Sequence, residues 1–209
     1  MMVYVGQTRA AKLVRRLWEL GIGECTQRGE LPPRRHPWFY DNGAFGDWKA
    51  GRPFDVEQFN ADVEAIKRSG DRPRFVVLPD LVAQGAASLA ESARWIPRLA
   101  PVAPLYLVAQ DGMTPADIAP LAAHLRGVFV GGTLGWKIRT GAEWVRGAHA
   151  LGLACHIGRV GTAKRIRWAF RIGADSIDSS LPLWSEGNLD VFLRALERRQ
   201  GELALVEAA

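Results

Sequence analysis

Cysteine, histidine and methionine are scarce here: two Cys, four His and three Met in 209 residues. Cys25 and Cys155 lie far apart in the chain. That excludes a disulfide framework and leaves too few thiols and imidazoles for a cysteine-rich zinc site, so no metal and no cofactor are expected. No apolar run approaches the ~20 residues that a membrane-spanning helix needs, and no charged-then-apolar leader opens the chain. A soluble, cytoplasmic protein is therefore expected. Low-complexity tracts, internal repeats and linkers longer than a turn are also missing, and with 48% hydrophobic residues the chain can bury one sizeable core. One domain over residues 1–209 is the expectation. The formal net charge is +5, which favours a polyanionic partner.

Short apolar runs alternate with segments of helical periodicity. The runs are Met2–Val5, Glu24–Gln27 (the weakest), Trp38–Asp41, Arg74–Leu78, Ala103–Ala109, Gly127–Val130, Ala154–Ile157 and Ser176–Asp178. Helices are expected over Ala10–Leu20, Val56–Ser69, Gly85–Leu99, Pro115–Leu125, Thr140–Leu151, Thr162–Ile172 and Asp190–Arg199. Near-continuously apolar strands alternating with helices predict a parallel sheet covered on both faces. Eight of them in this length predict a compact (β/α)₈ barrel, with an open doubly wound sheet as the alternative that periodicity leaves open.

In parallel α/β folds the chemistry gathers at the carboxyl ends of the strands. Asp41, Asp80, Gln110, the Gly131-Gly132 amides and Asp178 each follow an apolar run here. Singly, each has an ordinary explanation as a turn former or surface group. As a set at successive strand exits they point to one site. Basic residues accompany them: the pairs Arg34/Arg35 and Lys137/Arg139, then Arg159, Lys164, Arg165, Arg167 and Arg171. They read either as a phosphate track round the mouth or as solvated faces. Trp38, Trp48 and Trp136 read either as base-stacking groups or as core.

The order of motifs carries a resemblance. Asp-Asn-Gly-Ala-Phe (41–45), Leu-Pro-Asp (78–80), Val-Ala-Gln-Asp-Gly (108–112), Val-Gly-Gly-Thr (130–133), His-Ile-Gly-Arg-Val-Gly-Thr (156–162) and Gly-Ala-Asp-Ser-Ile-Asp-Ser (173–179) resemble the tRNA-guanine transglycosylase superfamily. They are most similar to its short phage members of the DpdA type, which place 7-deazaguanines in DNA. The resemblance implies Asp178 as nucleophile and Asp41 as acid/base. It implies base binding by Asp80, Gln110 and the Gly131-Gly132-Thr133 turn, with Asp80 on N1 and the exocyclic amine, and Gln110 and the Gly132 amide on O6. The implied reaction exchanges guanine in DNA for a base such as preQ0 through an aspartyl–deoxyribose ester. DNA is then the expected partner, tRNA less so, because the family's zinc ligands after the nucleophile are missing and Ala44, Gly46 and Ser179 depart from its pattern. A nucleoside or glycoside hydrolase using the same carboxylates, and a catalytically degenerate nucleic-acid-binding module, remain as alternatives.

Overall fold

The structure, a computed structural model, describes residues 1–207. Eight parallel strands close a barrel in chain order: β1 (Met2–Gly6), β2 (Gly23–Gln27), β3 (Trp38–Asp41), β4 (Val76–Val77), β5 (Leu105–Ala109), β6 (Gly127–Val130), β7 (Ala154–Ile157) and β8 (Ser176–Ser179). The (β/α)₈ expectation holds, and the open-sheet alternative fails at the seam, where β8 pairs with β1 through Tyr4 opposite Asp178. The weakest sequence signal, β2, is a full strand between β1 and β3.

The outer helices are α1 (Ala11–Glu19), α2 (Ala44–Lys49), α3 (Val56–Ser69), α4 (Gly85–Leu99), α5 (Pro115–Ile118), α6 (Leu134–Ala150), α7 (Ala163–Arg171) and α8 (Glu186–Glu207). Three differences from the sequence reading have local causes. Pro120 sits in the first turn of a 3₁₀ segment, Ala119–His124, so the expected helix to Leu125 is split. The helix expected from Thr140 begins at Leu134, since Gly135 and Gly141 do not interrupt it; a Cβ on Gly141 would lie 2.7 Å from the Trp168 ring, so glycine there is the condition for α6 and α7 to pack. The strand expected over Arg74–Leu78 is regular only at Val76–Val77, yet Arg74, Val76 and Leu78 still donate backbone hydrogen bonds to the neighbouring strands.

Alternate residues of each strand face the barrel axis. Tyr4, Cys25, Phe39, Phe75, Val77, Tyr106, Val108 and Phe129 fill the interior, with Phe75 stacked on Tyr106 at 3.8 Å and on Phe39 at 4.5 Å. This aromatic plug fills the lower barrel, with His156 and Ser176 as polar side chains within it, and the acidic side chains stand above it at the carboxyl ends of the strands. The opposite strand faces pack with the helices into a second, larger core that includes Leu17, Phe59, Leu107, Val130, Trp144 and Ile177. Trp38 and Trp136 belong to buried structure: Trp38 is core with its Nε1 donating to Asp71, and Trp136 packs on Trp144. Of the three tryptophans considered for stacking, only Trp48 is exposed. Among the described residues no helix is long and apolar enough to cross a membrane.

Candidate active site

The mouth is built by strand parity. His156 and Ser176 stand opposite each other in the β7–β8 register, so Gly158 and Asp178, two residues on, emerge together at the rim. His156 Nδ1 is 2.8 Å from Ser176 Oγ and its Nε2 is 3.0 Å from Asp178 Oδ1. Burial lowers the His156 pKa in spite of the neighbouring carboxylate. The neutral ring therefore donates Nε2–H to Asp178 and accepts at Nδ1 from the Ser176 hydroxyl. The Arg159 backbone N–H adds contacts to both Asp178 oxygens, at 3.0 and 3.1 Å. Burial by itself would raise the Asp178 pKa; these donors, with the charge of Lys137, outweigh it and hold the carboxyl below its ordinary value.

Asp41 and Asp80 behave oppositely. Burial pushes both up to about 6, although the Gly43 N–H donates to Asp41 at 2.8 Å and the Asn42 and Gln110 amides donate to Asp80 at 2.8 and 2.6 Å. The negative charges of Asp178 and Asp80 push Asp41 further in the same direction. Asp41, Asn42, Phe45, Asp80, Gln110 and Arg159 surround a pocket of about 40 Å³ that also touches Gly131. It has room for a few waters and not for a purine. Arg159 covers it: its guanidinium lies 3.7 Å from the centre of the Phe45 ring and donates to Gly132 O at 2.6 Å. Its backbone holds the left-handed conformation, φ 56°, uncommon for a residue with a Cβ. Asp178 does not line this closed pocket; it lies behind the Arg159 backbone.

The structure brings together Asp41, Asp80, Gln110, Gly131, Arg159 and Asp178, and it relocates several other expected contacts. Gln110 already bonds Asp80, and its Oε1 accepts from the Gly132 and Ala83 N–H groups at 3.1 and 3.0 Å. The Gly132 amide is thus engaged within the protein. Thr133 is outside the pocket, where its N–H and hydroxyl are held by Asp111 at 2.7 and 2.5 Å.

Two of the nine basic residues expected to meet phosphate do not face solvent. Arg35 is 1% exposed; it pairs with buried Glu24 at 3.3 Å and donates to Val5 O and Gly6 O, fastening the 28–37 loop to the barrel. Lys137 is 3% exposed, and its ammonium donates to Gly158 O beneath the rim. Burial, with the positive charge of Arg159, lowers Lys137 to about 7. Arg34, Arg139, Lys164 and Arg171 are exposed, and Arg165 and Arg167 are half-buried on α7.

Sequence reasoning gave no role to His156, Asn42 or Phe45. The signal for His156 was available in strand parity, since it shares the inward row with Gly158 and faces Ser176. Among the described residues no group of three or more His, Cys, Asp or Glu side chains is arranged to hold a metal ion. Compared with models of known protein families and with curated proteins, the chain matches none of them.

Proposed function

We propose that the chain is a base-exchanging pentosyltransferase, a transglycosylase that replaces guanine in DNA with a 7-deazaguanine. The observation that carries this reading is the split between carboxyls at one barrel mouth. Asp178 is held ionised by its donors, while buried Asp80 and half-buried Asp41 are pushed up to about 6. A double displacement at C1′ needs this division, an anionic nucleophile beside an acid still able to carry a proton near neutral pH. The motif order from Asp41 to Ser179 and its resemblance to the transglycosylase superfamily supply the choice of substrate.

In the proposed reaction Asp178 Oδ attacks C1′ as the C1′–N9 bond breaks, and the bond's electron pair leaves with guanine. Asp41 donates the proton that the departing base takes up. The incoming deazaguanine returns a proton to Asp41 from its ring nitrogen, attacks C1′ and releases Asp178. For the base to enter, the Arg159 cover must lift from Phe45, whose freed face can stack on it. Asp80 and Gln110 then exchange their mutual bond for the guanine edge, in which two adjacent donors stand beside one acceptor: the carboxylate accepts from the donors and the amide N–H serves the acceptor.

Mass spectrometry of nucleosides, after incubation of the protein and preQ0 with DNA and separately with tRNA, tests the reading. A deazaguanine deoxynucleoside is expected in the DNA digest and none with Asp178→Asn. Incorporation into tRNA alone overturns the polymer. Release of free guanine without incorporation overturns exchange in favour of hydrolysis.

A further inference from the structure

Positions 9, 12, 15 and 18 are Arg, Lys, Arg and Trp, one residue every three along the start and length of α1. Residues three apart in a helix are neighbours, with ~4.5 Å of rise between them. Arg9, Arg15 and Trp18 share one side of this segment, which starts beside the exit of β1, at the rim that holds Asp178, and runs down the barrel wall, whereas Lys12 lines a different hollow with Pro182 and Leu183. Trp18 is 65% exposed, uncommon for so large an apolar ring.

The surface there is concave. Arg9, Val14, Arg15, Trp18 and Arg34 line a hollow of about 450 Å³. A second hollow of about 350 Å³, bounded by Thr8, Arg9, the 29–33 loop and Arg34, adjoins it through Arg9 and Arg34. Among the described residues none of Arg9, Lys12, Arg15 and Arg34 forms an ion pair; Arg16, on the next row, meets Glu19 at 3.7 Å. The first turn of α1 contains no acidic residue. Three unneutralised cations along a groove, Arg9, Arg15 and Arg34, with an aromatic face at its end, have the pattern that a single nucleic-acid strand requires: charges for successive phosphates and a platform on which an unpaired base stacks.

We propose that this α1 groove holds the single-stranded segment of DNA next to the target nucleotide, with a base of that segment stacked on Trp18. The proposal rests on the nucleic-acid reading of the active site, and none of its three cations belongs to the catalytic machinery.

The test is binding of a fluorescently labelled single-stranded DNA of about 16 nucleotides to the full chain, by anisotropy across a salt series. Arg9→Ala/Arg15→Ala is expected to weaken binding about tenfold or more and to flatten the salt dependence by about 1.4, at about 0.7 for each cation on a single strand. Trp18→Ala is expected to weaken it about fivefold or more at an unchanged salt slope. Arg94→Ala, on α4, serves as the surface control and leaves binding unchanged. Thermal melting confirms that each variant is folded.

Wild-type affinity in both α1 variants overturns the groove. Equal affinity for duplex, with Trp18→Ala silent, overturns the single strand. Binding to vesicles containing phosphatidylserine that the same variants abolish, without DNA binding, overturns the nucleic acid. If exchange is absent while the α1 variants lose DNA, the transglycosylase reading alone fails. If exchange proceeds while they bind normally, the groove alone fails.

Discussion

At the scale of single residues, the site is decided by how each carboxyl is solvated. Asp178, Asp41 and Asp80 read alike in the sequence, as acids at strand exits, and only their surroundings separate them. Asp178 faces His156 and the Arg159 N–H, whereas Asp41 has the Gly43 N–H and two neighbouring negative charges. In the proposed reaction His156 is a positioning residue, acting through Asp178. Removing it in His156→Ala takes a donor from the ionised form, so the Asp178 pKa rises. A hydrogen bond to a charged group contributes about 1.5–3 kcal/mol, so kcat/KM is expected to fall about 10- to 100-fold. The acid limb of its pH profile should move to higher pH. His156→Gln, which retains a donor, should recover part of both. An acid limb that stays in place while activity falls points to a structural role alone. Which residues sit at strand ends was legible in the sequence; the sign of their pKa shifts was not, because the donors come from other strands.

At the scale of elements, the alternation of strands and helices was legible because period 2 and period 3.6 differ over even short runs. The element that sequence reasoning missed is α2. Its first residues, Ala44-Phe45-Gly46, read as a turn, but Gly43 takes the left-handed conformation at φ 77° and launches a six-residue helix that sets Phe45 against Arg159. The glycines were legible as interruptions, whereas several are packing contacts. Gly158, at the exit of β7, is the one on which the site depends. A Cβ there would lie 2.3 Å from a Phe129 ring carbon, in the stack of Phe129 and His156, whose ring centres are 4.5 Å apart. Gly158→Ala is expected to cost about 1–3 kcal/mol by overpacking. It also moves the Arg159 N–H relative to Asp178, so activity should fall together with stability. Trimming the ring in the Gly158→Ala/Phe129→Leu double variant should restore part of the lost Tm. An alanine variant with unchanged Tm would show that the β7 exit can yield and is not close-packed.

At the scale of the whole molecule, one rim concentrates groups whose ionisation opposes folding. The folded pKa of about 6 for Asp41 and Asp80 lies above the ordinary 3.8. Between these values the folded chain holds protons that the unfolded chain has released, so stability falls as pH rises from about 4 to 6 and then levels. Lys137 has the opposite displacement, from 10.5 down to about 7. Across that interval the unfolded chain binds more protons, so stability climbs with pH above about 7. Asp178, lowered, contributes stability that is present above its ordinary value and lost as pH falls through its folded one. Together these groups place a trough near pH 6–7 in the site's contribution to stability, where the proposed chemistry needs Asp41 able to exchange a proton. Natural active sites commonly trade stability for function in this way. Asp41→Asn removes one titration while keeping an oxygen for the Gly43 N–H. In urea unfolding its gain over wild type is expected to be small near pH 4, to grow through pH 5 and 6, and to level at about 3 kcal/mol by pH 7, with base exchange lost throughout. A gain that does not vary with pH would mean that Asp41 titrates normally, and the division of roles between Asp41 and Asp178 would lose its physical basis.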